Sequence, residues 1–409
     1  MKEARAIAEA AARASYGRLV AWLAARTRDV AEAEDALAGA FASALEAWPE
    51  RGVPDEPEAW LFAVARRKLI DSARRAITRN SFASDLALIA EEAEAAMRGD
   101  RFPDERLKLL FVCAHPAIDS GVRTPLMLQT VLGLDAARIA SAFLVSPASM
   151  GQRLVRAKKK IRDAGLRFET PEPEHLAERL DAVLAAVYAA FGTGWEDADG
   201  ADPRRAGLAD EAIFLGRVIV QLLPEEPEAL GLLALMLYAH ARRRARRQDG
   251  AYVPLDEQDT RLWDATAIAE AETALIGAGR YGKPGRYQLE AAIQSAHAAA
   301  RLKGYDTSAA IVALYDALLA TAPSAGAAVG RAAALSQAGR NEDALANLDA
   351  LHGDPFTDYQ PYWAARAHVL AQLGRADEAR DAYTRAAGLS EDEAVRRFLL
   401  DRKAQLTIV

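Results

Sequence analysis

Cysteine is almost missing from this 409-residue chain: Cys113 stands alone, so no internal disulfide can form and a reducing compartment suits it. The six histidines never fall at ligand spacing, which leaves no basis for a metal centre. Alternating β-branched runs are almost lacking, which argues against a sheet fold. No apolar run approaches the roughly 18 residues of a membrane span, and the longest, around Leu230 to Ala239, reads as a buried helix. The opening stretch MKEARAIAEAAARASYG carries Glu3 and Glu9 and lacks the apolar core of a signal peptide, so a cytoplasmic protein is expected. Gly192-Thr193-Gly194 has neither a third glycine nor a preceding strand, so it is no dinucleotide loop. Cys113 near His115 reads as structural, and no nucleophile meets a base. Neither catalysis nor a cofactor is expected.

What is present is helical. Hydrophobic residues make up 51% and charged residues 27%, the balance of a globular protein, and the abundance of alanine predicts an all-α fold. Four blocks follow from the punctuation. Residues 10–78 read as amphipathic helices interrupted at Trp48–Pro54, and 79–100 as an acidic linker. Residues 101–168 form a compact helical domain that ends at Thr170-Pro171-Glu172-Pro173. Residues 174–409 are helical throughout.

The net charge of −7 hides an asymmetry. Residues 1–168 hold 26 Lys/Arg and 22 Asp/Glu, a net of +4; residues 169–409 hold the other 25 and 36, a net of −11. Such a split predicts different partners for the two halves. Between Ser146 and Arg162 there are six basic residues and no acidic one.

That basic stretch has a specific layout. Leu134-Asp135 opens a short helix with Ile139, Ala140 and Phe143, and Ser146-Pro147 is an N-cap followed by a first-turn proline. In the helix so begun, Met150, Leu154, Ala157 and Ile161 make an apolar stripe, and Ser149, Arg153, Arg156 and Lys160 a polar one. This is the pattern of a helix-turn-helix, with Ser149, Gln152 and Arg153 placed for base edges and Arg156, Lys158, Lys159 and Lys160 for phosphates. A solvated basic face is the plainer alternative. From Trp60 to Thr78, Phe62, Leu69, Ala73 and Ile77 again line one face, while Arg67, Asp71, Arg74, Arg75 and Thr78 line another.

The segment IASAFLVSPASMGQRLVRAKKKIRDA resembles region 4 of extracytoplasmic-function (ECF) sigma factors, DVAEAEDALAGAFASALEAWP resembles their region 2.2, and PEAWLFAVARRKLIDSARR resembles regions 2.3 and 2.4. The three stand in the family's order. The resemblance implies a factor that binds core RNA polymerase and promoter DNA. It implies −35 contacts from the polar stripe and Lys158–Lys160, and −10 contacts from Arg66, Arg67, Lys68, Asp71, Arg74 and Arg75. Contacts to polymerase would come from Glu34, Asp35, Phe41 and Trp48, with core packing the plainer role for Phe41, Trp48 and Trp60. The family often has Asn where this chain has Arg67, and the loop from Pro49 to Pro57 has neither aromatic nor Asn to capture a flipped base. A helix-turn-helix regulator that never joins polymerase, or a repeat scaffold with an incidental basic helix, are the alternatives; the region 2.2-like helix argues against both.

The last block contains a repeat. Arg331, Leu335, Gly339, Arg340, Ala344 and Leu348 recur as Arg366, Leu370, Gly374, Arg375, Ala379 and Tyr383, each 35 residues on, close to the tetratricopeptide period. The block resembles the C-terminal extension of one ECF subgroup, which implies a regulatory domain, expected through its acidity to contact the sigma regions. Five arginines among Arg242–Arg247 read as cations at a helix C-terminus, with a second nucleic-acid site as the other reading.

Overall fold

The computed structural model describes residues 2–76, 105–143, 145–195, 207–351 and 354–406, and the expected linker at 79–100 lies outside them. The all-α expectation is met: among the described residues the only sheet is a pair of two-residue strands. Two compact units divide the chain, one comprising residues 1–194 with 203–215, the other 195–202 with 216–409.

The first unit opens with α1 (Lys2–Thr27), α2 (Val30–Arg51) and α3 (Pro57–Ala76). Asp29 starts α2 by accepting from the backbone N–H of Ala31 at 2.9 Å and of Glu32 at 3.2 Å. The expected break at Trp48 is displaced. Helix α2 runs through Pro49 and stops at Gly52, whose φ of 84° suits glycine. One proline in the final turn forfeits a single hydrogen bond, too little to end a helix anchored by buried Trp48. Leu19, Trp22 and Leu23 of α1, Leu37 and Ala40 of α2, and Leu61, Phe62 and Leu69 of α3 are buried where these three helices pack on one another. The rings of Trp22 and Phe62 meet edge to face at 4.5 Å.

Four shorter helices follow: α4 (Arg106–Cys113), α5 (Ser120–Thr130), α6 (Ala136–Ala142) and α7 (Pro147–Asp163). They pack directly on the first three. A Cβ at Gly17 of α1 would lie 2.0 Å from the Val131 carbonyl oxygen at the end of α5, so the two backbones touch there. Gly17→Ala should therefore destabilise this unit by about 1–3 kcal/mol in chemical denaturation. Gly151→Ala, with open space around the added methyl, should stabilise α7 by about 0.5–1 kcal/mol. Cys113 is buried beside Thr130, and burial pushes its thiol up to about 12, which makes it inert, as its structural reading expects.

The unit extends past the Pro171–Pro173 segment into α8 (Pro173–Trp195). Arg179 donates to the Phe111 carbonyl at 2.6 Å, and the Thr124 hydroxyl donates to the Ala186 carbonyl at 3.1 Å. Helix α9 (Leu208–Leu222) begins in this unit and ends in the second.

The second unit continues with α10 (Pro227–Ala241), strands β1 (Arg247–Gln248) and β2 (Ala251–Tyr252), α11 (Ala265–Gly279) and α12 (Arg286–Lys303). Then come α13 (Ser308–Thr321), α14 (Ala325–Gln337), α15 (Asn341–Asp349), the single turn α16 (Asp354–Thr357), α17 (Gln360–Gln372), α18 (Ala376–Leu389) and α19 (Glu393–Ala404). The 35-residue spacing is visible in three dimensions. Gly339 and Gly374 both adopt left-handed backbone, with φ of 74° and 73°, at the turns α14–α15 and α17–α18. Ala344 and Ala379 are fully buried just after those turns, where helices pass closely. Arg331 bonds Asp316 at 2.6 Å, and Arg366 pairs likewise with Asp349.

The strands pair antiparallel, Arg247 opposite Tyr252, and the segment that carries them grips α19. Arg247 pairs with Asp392, Arg402 pairs with Glu257, and the Tyr252 and Phe398 rings lie 5.3 Å apart. Arg242 donates to Gln294 at 2.6 Å, and burial pushes its guanidinium down to about 10. Of the five arginines in this run only Arg244 is exposed, so the run is largely spent on packing within the unit, not on a surface patch.

Candidate nucleic-acid interface

Helix α7 begins as the Ser-Pro pair dictates: the Ser146 hydroxyl accepts from the Ser149 N–H at 3.2 Å, with Pro147 in the first turn. Met150, Leu154, Ala157 and Ile161 are buried, which fixes the rotation of the helix about its axis. That rotation turns Gln152, Arg153, Arg156, Lys159 and Lys160 outward and leaves Ser149 half-exposed. Arg156 donates to the Gln152 side chain at 3.2 Å. Arg153, Arg156 and Lys160 overhang a groove of about 450 Å³ floored by Ile118, Val122 and Ala157. The acid lining it, Asp119, accepts from the Gly121 N–H at 2.9 Å as the cap of α5. Three cations against one engaged carboxylate give this face a positive charge.

One expected phosphate contact is elsewhere. Lys158 is buried and pairs with Glu34 of α2. Consecutive helical residues point about 100° apart, so Lys158, Lys159 and Lys160 cannot share a face, and burying Ala157 and Ile161 carries Lys158 inward with them. Its partner, expected to meet polymerase, is thereby also engaged. Burial pushes the Glu34 carboxyl above its ordinary range against the pull of Lys158, with Asp35 and Asp29 adding to the rise. The Glu34 Oε1 is buried with no hydrogen-bond partner among the described residues. Next along the seam, Arg162 donates to Asp29 at 3.2 Å. Across α1 and α4, Arg26 reaches Glu105 at 3.5 Å.

Reading the sequence by its cations overlooked Val155, which is 66% exposed on α7 between Gln152 and Lys159. Its signal was its place off both stripes, since an apolar residue outside the buried stripe has no packing reason to be there.

On α3, Arg67 and Asp71 are exposed one turn apart, as expected. Arg66 is half-buried. Lys68 is half-buried too, its methylenes lying across Gly39 of α2, where a Cβ would come within 2.8 Å of them. Arg74 and Arg75 fall within the helix, but their side chains lie outside the described residues.

On α2, Asp35 is exposed and Phe41 half-buried. Trp48 is 3% exposed with its ring 5.5 Å from that of Trp60, which makes it core packing and not polymerase-facing surface. The outward face is instead Asp35, Ala38, Ala42 and Leu45, spaced 3, 4 and 3, with Leu45 at 49% exposure. Such a stripe is the seam by which one helix lies along another.

A sigma-70 region 2 model matches residues 12–78, the span of α1 to α3, and a family of unknown function, DUF6596, matches residues 179–278. A protein of Rhizobium meliloti (strain 1021), described only as uncharacterized, is 40% identical over 386 residues, covering 92% of this chain and 91% of its own length. No solved structure matches the chain. No helix among the described residues is long and apolar enough to cross a membrane, and no group of His, Cys, Asp and Glu there could hold a metal ion.

Proposed function

The chain belongs to the same family as that Rhizobium protein and carries a sigma-70 region 2 domain at its N-terminus, and from this premise we propose that it is an ECF-type transcription initiation factor. One coincidence carries the reading. The region 2 bundle shares a chain with a Ser-capped helix that bears an outward row of Gln152, Arg153, Arg156, Lys159 and Lys160 beside half-exposed Ser149.

In this reading, core RNA polymerase docks on the exposed Asp35–Leu45 face of α2, whose apolar seam and flanking acids suit a basic coiled-coil partner. Helices α6 and α7 act as a helix-turn-helix on the −35 element. Gln152 and Arg153 read base edges, Val155 lies against a thymine methyl, and Arg156, Lys159 and Lys160 neutralise phosphates. Helix α3, with Arg67, Asp71, Arg74 and Arg75, engages the −10 element. The factor performs no chemistry itself. Residues 174–409 regulate it, within a C-terminal half (169–409) whose net charge is −11.

Reconstitution with core polymerase on a random promoter pool tests this reading. The intact chain should select a promoter carrying two elements and initiate from it, and its salt dependence should be steep. A form lacking residues 223–409, which keeps α8 against α4 and α5, should initiate at a different rate from the same promoter. Duplex binding without capture of core polymerase would instead favour a regulator that works apart from the enzyme. Equal rates with and without residues 223–409 would remove the regulatory role.

A further inference from the structure

One guanidinium of the second unit is half-buried without a counter-ion. Arg242, where α10 ends, donates from Nη2 to the Gln294 side chain at 2.6 Å and from Nε to the Tyr238 carbonyl at 3.4 Å. Both acceptors are neutral, and no carboxylate among the described residues pairs with it. We propose that Arg242, Tyr252 and His297 form a binding site for a small-molecule carboxylate. The inference goes beyond the initiation-factor reading and does not depend on it.

Three elements converge on this guanidinium. Gln294 and His297 lie three residues apart on α12 and so share a face of that helix. Tyr252 ends β2, and both it and His297 lie close enough to Arg242 for their charges to interact. Arg242 Nη1, the Tyr252 hydroxyl and the His297 ring nitrogens have no hydrogen-bond partner among the described residues. None of these atoms is sealed from solvent, so a ligand can reach all of them.

A guanidinium, a phenol and a neutral imidazole all donate hydrogen bonds. Donors that meet no acceptor from the protein suit an oxyanion, which only accepts. Burial and the nearby charge of Arg246 push the Arg242 guanidinium down to about 10, a cost that a bound anion relieves.

Charge and access narrow the class. Burial and the Arg242 charge, against the pull of Asp256, hold the His297 imidazole below its ordinary range. Arg242 is then the one full charge among the three donors. A carboxylate matches that single charge, whereas a phosphate group at about −1.5 to −2 leaves negative charge desolvated and unpaired. The strand-bearing segment is also tied down, by Arg301 donating to the Gln258 carbonyl at 2.8 Å and by Tyr252 against Phe398. A site under such a segment suits a small molecule, and the Tyr252 ring offers its carbon part an apolar wall.

Titration of the full chain with benzoate, followed through the histidine ring signals by NMR, tests the site. The signal missing from His297→Asn identifies His297. Benzoate should shift that signal saturably, and inorganic phosphate at the same concentrations should not. By calorimetry, Arg242→Gln should weaken benzoate at least about tenfold, the scale of a hydrogen bond to a charged group. Tyr252→Phe, which keeps the ring against Phe398, should weaken it about threefold. Arg244→Gln, the exposed neighbour in the same run, should leave the affinity unchanged. Should Arg242→Gln fail to fold, Tyr252→Phe and His297→Asn decide the matter. The site is overturned if benzoate gives no saturable shift, if the site variants bind as the parent does, or if Arg244→Gln loses as much as they do. Phosphate binding in place of benzoate overturns the carboxylate assignment. Core polymerase is absent throughout, so failure here leaves the initiation reading untouched.

Discussion

Glutamate in place of both Arg153 and Arg156 is expected to lower affinity for the promoter duplex by about two to three orders of magnitude. It should also reduce the slope of log affinity against log salt by about two. Both side chains are exposed on α7, and neither contributes to the buried stripe of Met150, Leu154, Ala157 and Ile161, so the fold should survive the change. The loss has two parts. Arg153 lies nearer the start of the helix, where base edges come within reach, so its replacement should also relax preference at one position of the site. Arg156 lies one turn on, over the groove, and its replacement should weaken all sequences alike. A salt titration by fluorescence anisotropy on cognate and scrambled duplexes separates the two. Lys158→Met should leave the slope unchanged, because that ammonium faces Glu34. A slope that drops as much for Lys158→Met as for Lys159→Ala would contradict the orientation of the whole helix.

Trp22→Ala is expected to cost about 3–5 kcal/mol of stability in the first unit, a large share of the roughly 5–15 kcal/mol that holds a domain together. Trp22 is 1% exposed. One ring edge meets Phe62 of α3, and the guanidinium of Arg26 sits 3.9 Å over its ring. Removing the indole therefore takes away the contact between α1 and α3 and the surface that orients Arg26 toward Glu105. Urea denaturation should show the change in the transition of the first unit, with the transition of the second unaltered. Phe62→Leu, which keeps most of the volume, should cost much less. Equal shifts in both transitions would mean that the two units unfold as one.

Much of this architecture was legible in the sequence because it rests on local rules. The Ser146-Pro147 start of α7 and the left-handed turns at Gly339 and Gly374 follow from what those residue types do to a backbone. The apolar stripe of α7 is a 3.6-residue rhythm that any helix in water must bury. What the sequence concealed was pairing over distance. Lys158 looked like its two neighbours until burial of Ala157 and Ile161 fixed its direction, and nothing local announces a partner 124 positions earlier. Glu34 and Trp48 sit on the helix expected to meet polymerase, yet one faces α7 and the other the core; of the expected contacts Asp35 stays outward, in line with Ala38, Ala42 and Leu45, whose small or apolar types do not by themselves mark a docking face. The arginines of 242–247 do follow a helix C-terminus, as expected, but their partners were not legible. Gln294 and Asp392, distant in sequence, draw Arg242 and Arg247 into packing.

Repeating helix pairs usually leave a free last repeat, which frays first and to which further copies can be appended. Here the strand-bearing segment before α11 reaches forward to Asp392, Phe398 and Arg402 of the final helix. Tying the two ends turns a row into a closed circuit. Its length is then set, since an inserted repeat would carry α19 out of register with Arg247, Tyr252 and Glu257. Its unfolding should proceed in one cooperative step, without peeling inward from the C-terminus.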